Sequence, residues 1–416
     1  MPSPPLVSIF LFVRNGGDAL RRSVRSVRNQ TYPNIEFIVQ DAVSTDGTLD
    51  VIRQEYGETA RVVSEPDSGA SDGLWRAMKR CTGEFVGSCL ADEELLPDAV
   101  ERGVRLLQAN PGAGAITGDA VLTDLEGRQT GFWRSGPFNL VDYLFCDYTP
   151  YWVSSFFRRS AMTEAGIRDG EAWSLKAIEF KTWLHLSSIS HVLYVPETFA
   201  KYASHPGQSS SRPKDVIPHF NGRVEEILAL CARSPLVDGD PRLPVLAIWG
   251  MARAFINHAL AYKLEDLARE LYRIAREATA KCPPVEVDGV RYDEQYGARI
   301  AARQAGQAYE DSLSPLARML AGKRRTADRR RKLEAEALAS RSPHDITLPP
   351  PPSPELKAQL YARLAMGYDA QGRYREAAET WRAAGRLLDL VDPVRFPPEL
   401  PAKYFSMEEL AGKQQP

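Results

Sequence analysis

Cysteine is scarce and scattered: none of Cys81, Cys89, Cys146, Cys231 and Cys282 stands at C-x-x-C spacing. That argues against a disulfide framework or a zinc site and fits a reducing compartment. Long apolar runs are missing as well. The opening "MPSPPLVSIFLFVRNGG" has neither a charged n-region nor a small-residue cleavage site. Its apolar stretch, Leu6 to Val13, is far short of the ~20 residues that span a bilayer. Nor is there an excess of charge: 52 basic against 54 acidic residues leave a net −2, so no global field draws the chain to nucleic acid or membrane. These absences predict a cytoplasmic protein with no nucleic-acid partner and no integral membrane segment. Peripheral attachment at the inner face of a membrane stays open.

What is present is a core-forming composition, 44% hydrophobic and 25% charged over 416 residues, enough for two or three domains. "LVSIFLFV" (6–13) reads as a buried strand. "DALRRSVRSVRNQ" puts Leu20, Val24 and Val27 at helical spacing, and "TYPN" breaks that helix. "IEFIVQD" is a second strand ending at Asp41, "STDGT" a turn and helix cap, "ARVVSE" a third strand, "GLWRAMKRC" a helix. "GEFVGSCLA" is a fourth strand that runs into Asp92, Glu93 and Glu94. Strand–helix alternation predicts an α/β domain with a mostly parallel sheet. Ligands bind outside the carboxyl ends of such strands, where Asp41 and Asp92 both fall. Clustered acids at a strand end either hold a metal or merely start the next helix; the second reading suffices for Glu94 but does not explain the end position shared with Asp41.

After about residue 215 the chain turns alanine- and arginine-rich with helical periodicity. The expected organisation is an α/β domain over 1–215, a helical domain over 216–340, a proline-rich linker over 341–355 ("SPHDITLPPPPSPE" is its heart) and a helical hairpin with a tail over 356–416. "KRRTADRRRKLEAEAL" carries seven basic residues between Lys323 and Lys332, read as a solvated helix face or as a patch for an anionic partner. The unit "LYARLAMGYDAQGRYREAAETWRAAGRLL" resembles a tetratricopeptide repeat: Tyr361, Leu364, Ala365, Tyr368, Gly372, Tyr374, Ala377, Trp381 and Ala384 fall at that repeat's spacings.

"VSIFLFVRN", "SVRSVRNQTYPNIEFIVQDAVSTDGTLDVIRQ", "SEPDSGASDGLWRAM", "TGEFVGSCLADEELLPDAV", "EFKTWLHLS" and "YASHPGQSSS" follow one another over about residues 6–212. In this order and spacing they resemble a family 2 glycosyltransferase of the GT-A fold, a Rossmann-like domain. The resemblance implies an inverting transferase that moves a sugar from a nucleoside-diphosphate donor, UDP-type, to an acceptor hydroxyl. It implies donor nucleotide contacts from Val13, Asp41, Asp67, Asp72 and Asp92, with Asp41 reading the imide N–H of a uracil-type base. It implies a divalent cation, Mn²⁺ or Mg²⁺, on Asp92, Glu93 and His205, neutralising the leaving diphosphate. It implies Glu179, in "AIEFKTWLHL", as the general base. Polar-turn or helix-cap roles stay open for Asp41, Asp67, Asp72 and Glu179. The sequence departs from the family pattern at Leu90-Ala91-Asp92-Glu93 where N-S-D-D is common, at Ala42 and Val43 where glycines are frequent, and at Trp75 and Phe12-Val13-Arg14. The acceptor expected is a glycan, a small molecule or a protein or peptide. The helical half is expected to hold the acceptor or to mediate homo-oligomer formation. The alternative from another class is a non-catalytic helical-repeat adaptor carrying a degenerate transferase domain.

Overall fold

The computed structural model describes residues 3–146, 150–167, 177–203, 213–233, 240–261, 263–287, 290–292, 348 and 351–388. Those residues divide into two compact units, the first made of the described residues within 1–143 and 147–226, the second of those within 144–146 and 227–388.

The first unit opens with β1 (Val7–Val13), whose side chains are nearly all buried, as a strand covered on both faces requires. In α1 (Leu20–Arg28) Leu20, Val24 and Val27 are buried while Arg25 and Arg28 face solvent. Then follow β2 (Ile35–Asp41), α2 (Thr48–Tyr56), β3 (Arg61–Ser64), α3 (Ala70–Arg80), β4 (Phe85–Ser88), β5 (Glu93–Leu95) and α4 (Ala99–Ala109). The remaining elements are β6 (Ala113–Thr123), β7 (Gln129–Trp133), α5 (Leu140–Leu144), β8 (Ser155–Arg158), α6 (Arg159–Glu164), α7 (Ile178–Ile189), β9 (His191–Ala203) and α8 (Pro213–Arg233), of which the first unit takes α5 through Tyr143 and α8 through Glu226.

The sheet order is β3-β2-β1-β4-β8-β6-β9-β5, with β7 added to β6. β3, β2, β1 and β4 run parallel, so the carboxyl ends of β1, β2 and β4 share one edge. Beyond β4 the sheet is mixed: β8 is antiparallel to both β4 and β6, β7 to β6, and β5 to β9, while β6 and β9 are parallel. The expectation of a mostly parallel sheet is therefore corrected to a mixed one. For β7 the reason is connection length: β6 and β7 are joined by five residues, 124–128, too few for the crossover that a parallel pair needs. The core under the sheet is tightly filled. A Cβ on Gly103 of α4 would lie 2.6 Å from the Phe156 ring of β8, so that helix approaches the sheet only because the position is glycine.

The second unit holds α9 (Arg242–Ala261), α10 (Glu265–Ala280), α11 (Pro354–Ala370) and α12 (Tyr374–Leu388). It is not all-helical as expected: β10 (Val285–Val287) pairs antiparallel with β11 (Val290–Tyr292), where β-branched residues favour strand. α9 is long and apolar enough to cross a membrane by composition, yet 67% of its apolar window is buried within the protein. Ser353 caps α11, its hydroxyl accepting from Leu356 N at 3.1 Å, with Pro354 in the first turn. Leu364, Ala365 and Tyr368 of α11 are buried, as are Ala377, Trp381 and Ala384 of α12. Gly372 makes the turn between the two helices at φ +72°. The basic run 323–332 lies outside the described residues.

Candidate active site

A cleft of about 830 Å³ opens at the carboxyl edge of the first unit. Phe12, Val13 and Arg14 line it from the end of β1, Ala42 from the end of β2, and Asp67 from the turn before α3. Asp92, Glu93 and Glu94 form another wall, with Lys201 of β9. The position follows from the topology: parallel strands whose apolar runs stop together leave their polar followers on one edge.

Asp41, the last residue of β2, is fully buried next to Ala42 and Val13 of the cleft. Its Oδ2 accepts from Ser64 Oγ at 2.6 Å and from the Ser44 amide at 3.1 Å. Its Oδ1 is buried and has no partner among the described residues, a costly state for a carboxylate oxygen unless a ligand donor meets it. Two residues on, Val43 holds φ +55° and is 47% exposed, a left-handed conformation that a β-branched residue rarely adopts. Asp67 lines the cleft and accepts from the Gly69 amide at 3.0 Å. Asp72 does not line it. Arg76 donates to both Asp72 oxygens, at 2.7 and 3.1 Å, and the Ser68 amide donates at 2.9 Å. Burial pushes the Asp72 carboxyl up, but these bonds outweigh it and hold it below the usual range. Asp72 thus secures the loop that presents Asp67.

The acids after β4 divide by role. The strand stops at Ser88, so Asp92 lies in a turn and Glu93 begins β5. Glu93 is buried, and its Oε2 accepts from the Leu90 amide at 2.7 Å. Burial drives its carboxyl well above the ordinary value, and repulsion from Asp92 and Glu179 adds to this. Glu94 pairs with Arg22 and lies 3.9 Å from Lys201 Nζ, which makes it a brace on the rim. Hard divalent cations take one or two carboxylates and complete their shell with phosphates and water. Asp92 on the cleft and the repelled carboxyl of Glu93 fit that donor set. Among the described residues no group of three or more His, Cys, Asp or Glu could hold a metal alone. His205 lies outside the described residues.

Glu179 sits in the first turn of α7, after Ala177 in the left-handed conformation at φ +57°. It is partly buried; burial raises its carboxyl and Arg223 tempers the rise. It does not line the cleft itself, but its charge acts on Glu93 and on Tyr151. Tyr151 escapes sequence reasoning because nothing around it forms a motif. Its hydroxyl is buried without a partner among the described residues. Burial raises the phenol strongly, and the charges of Glu93, Asp92 and Glu179 add to the rise. Tyr151 therefore marks the region where the acids of β5 and α7 meet.

Residues 8–150 match the model of glycosyl transferase family 2. The chain is 37% identical over 99 residues to a chondroitin synthase of Pasteurella multocida (strain Pm70), which covers 23% of this chain and 10% of that protein. It is 31% identical over 121 residues to a putative teichuronic acid biosynthesis glycosyltransferase, TuaG, of Bacillus subtilis (strain 168), covering 28% of this chain and 48% of that one. The chain thus spans from a tenth to about half the length of these curated relatives. Among solved structures it is similar to S. aureus TarS 1-349 in complex with UDP-GlcNAc, with a TM-score of 0.44 and 15% identity over 70% of this chain and 97% of that one.

Proposed function

We infer that this chain, whose residues 8–150 match the model of glycosyl transferase family 2, transfers a sugar from a UDP-type nucleoside-diphosphate donor to an acceptor hydroxyl with inversion. One observation carries the reading of the donor. Asp41 keeps a buried Oδ1 with no partner among the described residues, and its neighbours Val13 and Ala42 line the same cleft as Asp92 and Glu93. The imide N–H of uracil is a donor, and a carboxylate oxygen is its natural acceptor. Val13 and Asp67 would border the nucleotide, and Asp92 and Glu93 would hold Mn²⁺ or Mg²⁺, with His205 completing the phosphate side. When bound, that cation supplies charge neutralisation for the diphosphate.

Glu179 takes the proton of the acceptor hydroxyl as its oxygen attacks the anomeric carbon. The bond from that carbon to the diphosphate oxygen breaks, and the electron pair leaves with the diphosphate. A carboxyl raised by burial is better matched to neutral pH as a base than an exposed one. The second unit is proposed to mediate self-association or to select the acceptor, and the tetratricopeptide-like reading of α11 and α12 belongs to that proposal.

The test is release of nucleoside diphosphate from a panel of UDP-, GDP- and dTDP-sugars with Mn²⁺ and with EDTA. UDP release with Mn²⁺, suppressed by EDTA and lost in Glu93→Ala and Glu179→Gln, is expected. A protein that neither binds nor hydrolyses any donor in the panel is the non-catalytic adaptor instead.

A further inference from the structure

An aromatic run lies beside the acids and has no part in the chemistry above. Trp133, the last residue of β7, is 38% exposed. Its ring centroid is 5.5 Å from that of Tyr151, which is 5.3 Å from Tyr202 in an edge-on arrangement. Tyr202 stands directly opposite Glu93 in the β5–β9 ladder, so both side chains leave the sheet on the same face. The backbone of Tyr151 is fixed at both ends, its amide donating to Ser135 Oγ at 3.3 Å and its carbonyl accepting from Ser155 Oγ at 2.6 Å. Its hydroxyl alone is left without a partner among the described residues. The run therefore starts at solvent with Trp133 and reaches Tyr202 opposite Glu93, and Tyr151 at its middle is the residue on which the Asp92, Glu93 and Glu179 charges act.

We propose that Trp133 and Tyr151 form the acceptor subsite, and that the acceptor it takes is a saccharide. This rests on the transferase reading above and deepens it. A pyranose offers an apolar C–H face ringed by hydroxyls. An exposed indole covers the first, and a buried phenol, which can donate and accept, satisfies one of the second. A peptide chain laid along β7 would gain its affinity from strand pairing and would not need the ring.

The probes are three soluble disaccharides, one neutral, one N-acetylated and one containing a uronic acid, each followed by tryptophan emission and by its effect on UDP release from the donor. At least one is expected to change the emission saturably and to speed UDP release. In Trp133→Ala its apparent affinity falls at least tenfold, Trp133→Phe keeps most of it, and Tyr151→Phe loses two- to tenfold. The thermal shift with UDP, retained in all three variants, certifies their folding. A panel in which no sugar binds, or a Trp133→Ala protein that binds sugar like the parent, overturns the subsite. Transfer to a Ser/Thr peptide library that ignores Trp133→Ala overturns it too. Failure of the parent protein to bind UDP brings down the donor reading instead, so the two failures are distinguishable.

Discussion

The Ser64 hydroxyl donates to Asp41 Oδ2 across 2.6 Å, and with the Ser44 amide it occupies that oxygen, leaving Oδ1 without a partner among the described residues. If Oδ1 is the acceptor for a uracil imide, Asp41→Ala removes a hydrogen bond to a charged group, about 1.5–3 kcal/mol. UDP binding then weakens roughly 10- to 150-fold by titration calorimetry, and the preference for UDP over CDP shrinks with it. Ser64→Ala, which leaves the carboxylate in place, costs less. An Asp41→Ala protein that binds UDP as tightly as the parent removes Asp41 from the donor site.

Glu179 links activity to stability. Its carboxyl is raised by burial, more than Arg223 offsets. The unfolded chain therefore ionises at lower pH than the folded one, and stability present below the unfolded value is lost as pH rises through the folded value. Glu179→Gln is expected to lower transfer by about 10²–10⁴-fold, the range for a general base, and to raise Tm at pH 7.5 but not at pH 4. For the parent enzyme, the acid limb of kcat/KM against pH should fall above the ordinary carboxyl value of 4.5. A variant that loses activity and Tm together would point to a structural role for this carboxylate.

The parallel half of the fold was legible because its signals are local. The run "IEFIVQD" stops at Asp41, and the structure ends β2 at that residue. The acids 92–94 were legible as a cluster but not as three different groups. Glu93 becomes a buried β5 residue only through its pairing with Tyr202, more than a hundred positions away, and no window of sequence carries such a partner. Asp72 looked like Asp67 in a polar loop; the Arg76 guanidinium four residues on separates them. Tyr151 was invisible because the residues that define it belong to β5, β7, β9 and α7.

Val43 stores strain in the turn after Asp41. Its φ of +55° costs a β-branched residue about 1–2 kcal/mol, whereas glycine adopts it freely. Glycine adds about 0.5–1 kcal/mol of unfolded-chain entropy, so Val43→Gly should stabilise by about 0.5–1 kcal/mol in urea unfolding. The exposed side chain contributes little burial to offset this. A destabilised Val43→Gly variant would mean that the valine side chain itself holds the turn after Asp41.

Lys181 and Glu226 join α7 to α8 inside the first unit, Nζ to Oε1 at 2.8 Å, with the lysine 3% and the glutamate 18% exposed. His185 Nε2 stands 3.2 Å from the other carboxylate oxygen. Removing one partner of a buried pair costs about 3–5 kcal/mol, whereas replacing both by apolar groups is often near neutral. Glu226→Ala should therefore lower stability by about 3 kcal/mol, and Lys181→Met with Glu226→Leu by much less. Burial pushes the Glu226 carboxyl up, but its bonds to His185 and Lys181 outweigh this and leave it lowered. Its contribution is thus present above the unfolded carboxyl value and is lost as pH falls through the folded one. Between pH 5 and 3 the parent should lose stability more steeply than the double variant, in urea titrations at each pH. Parallel losses for the two proteins would show that the pair adds nothing to the packing of α7 on α8.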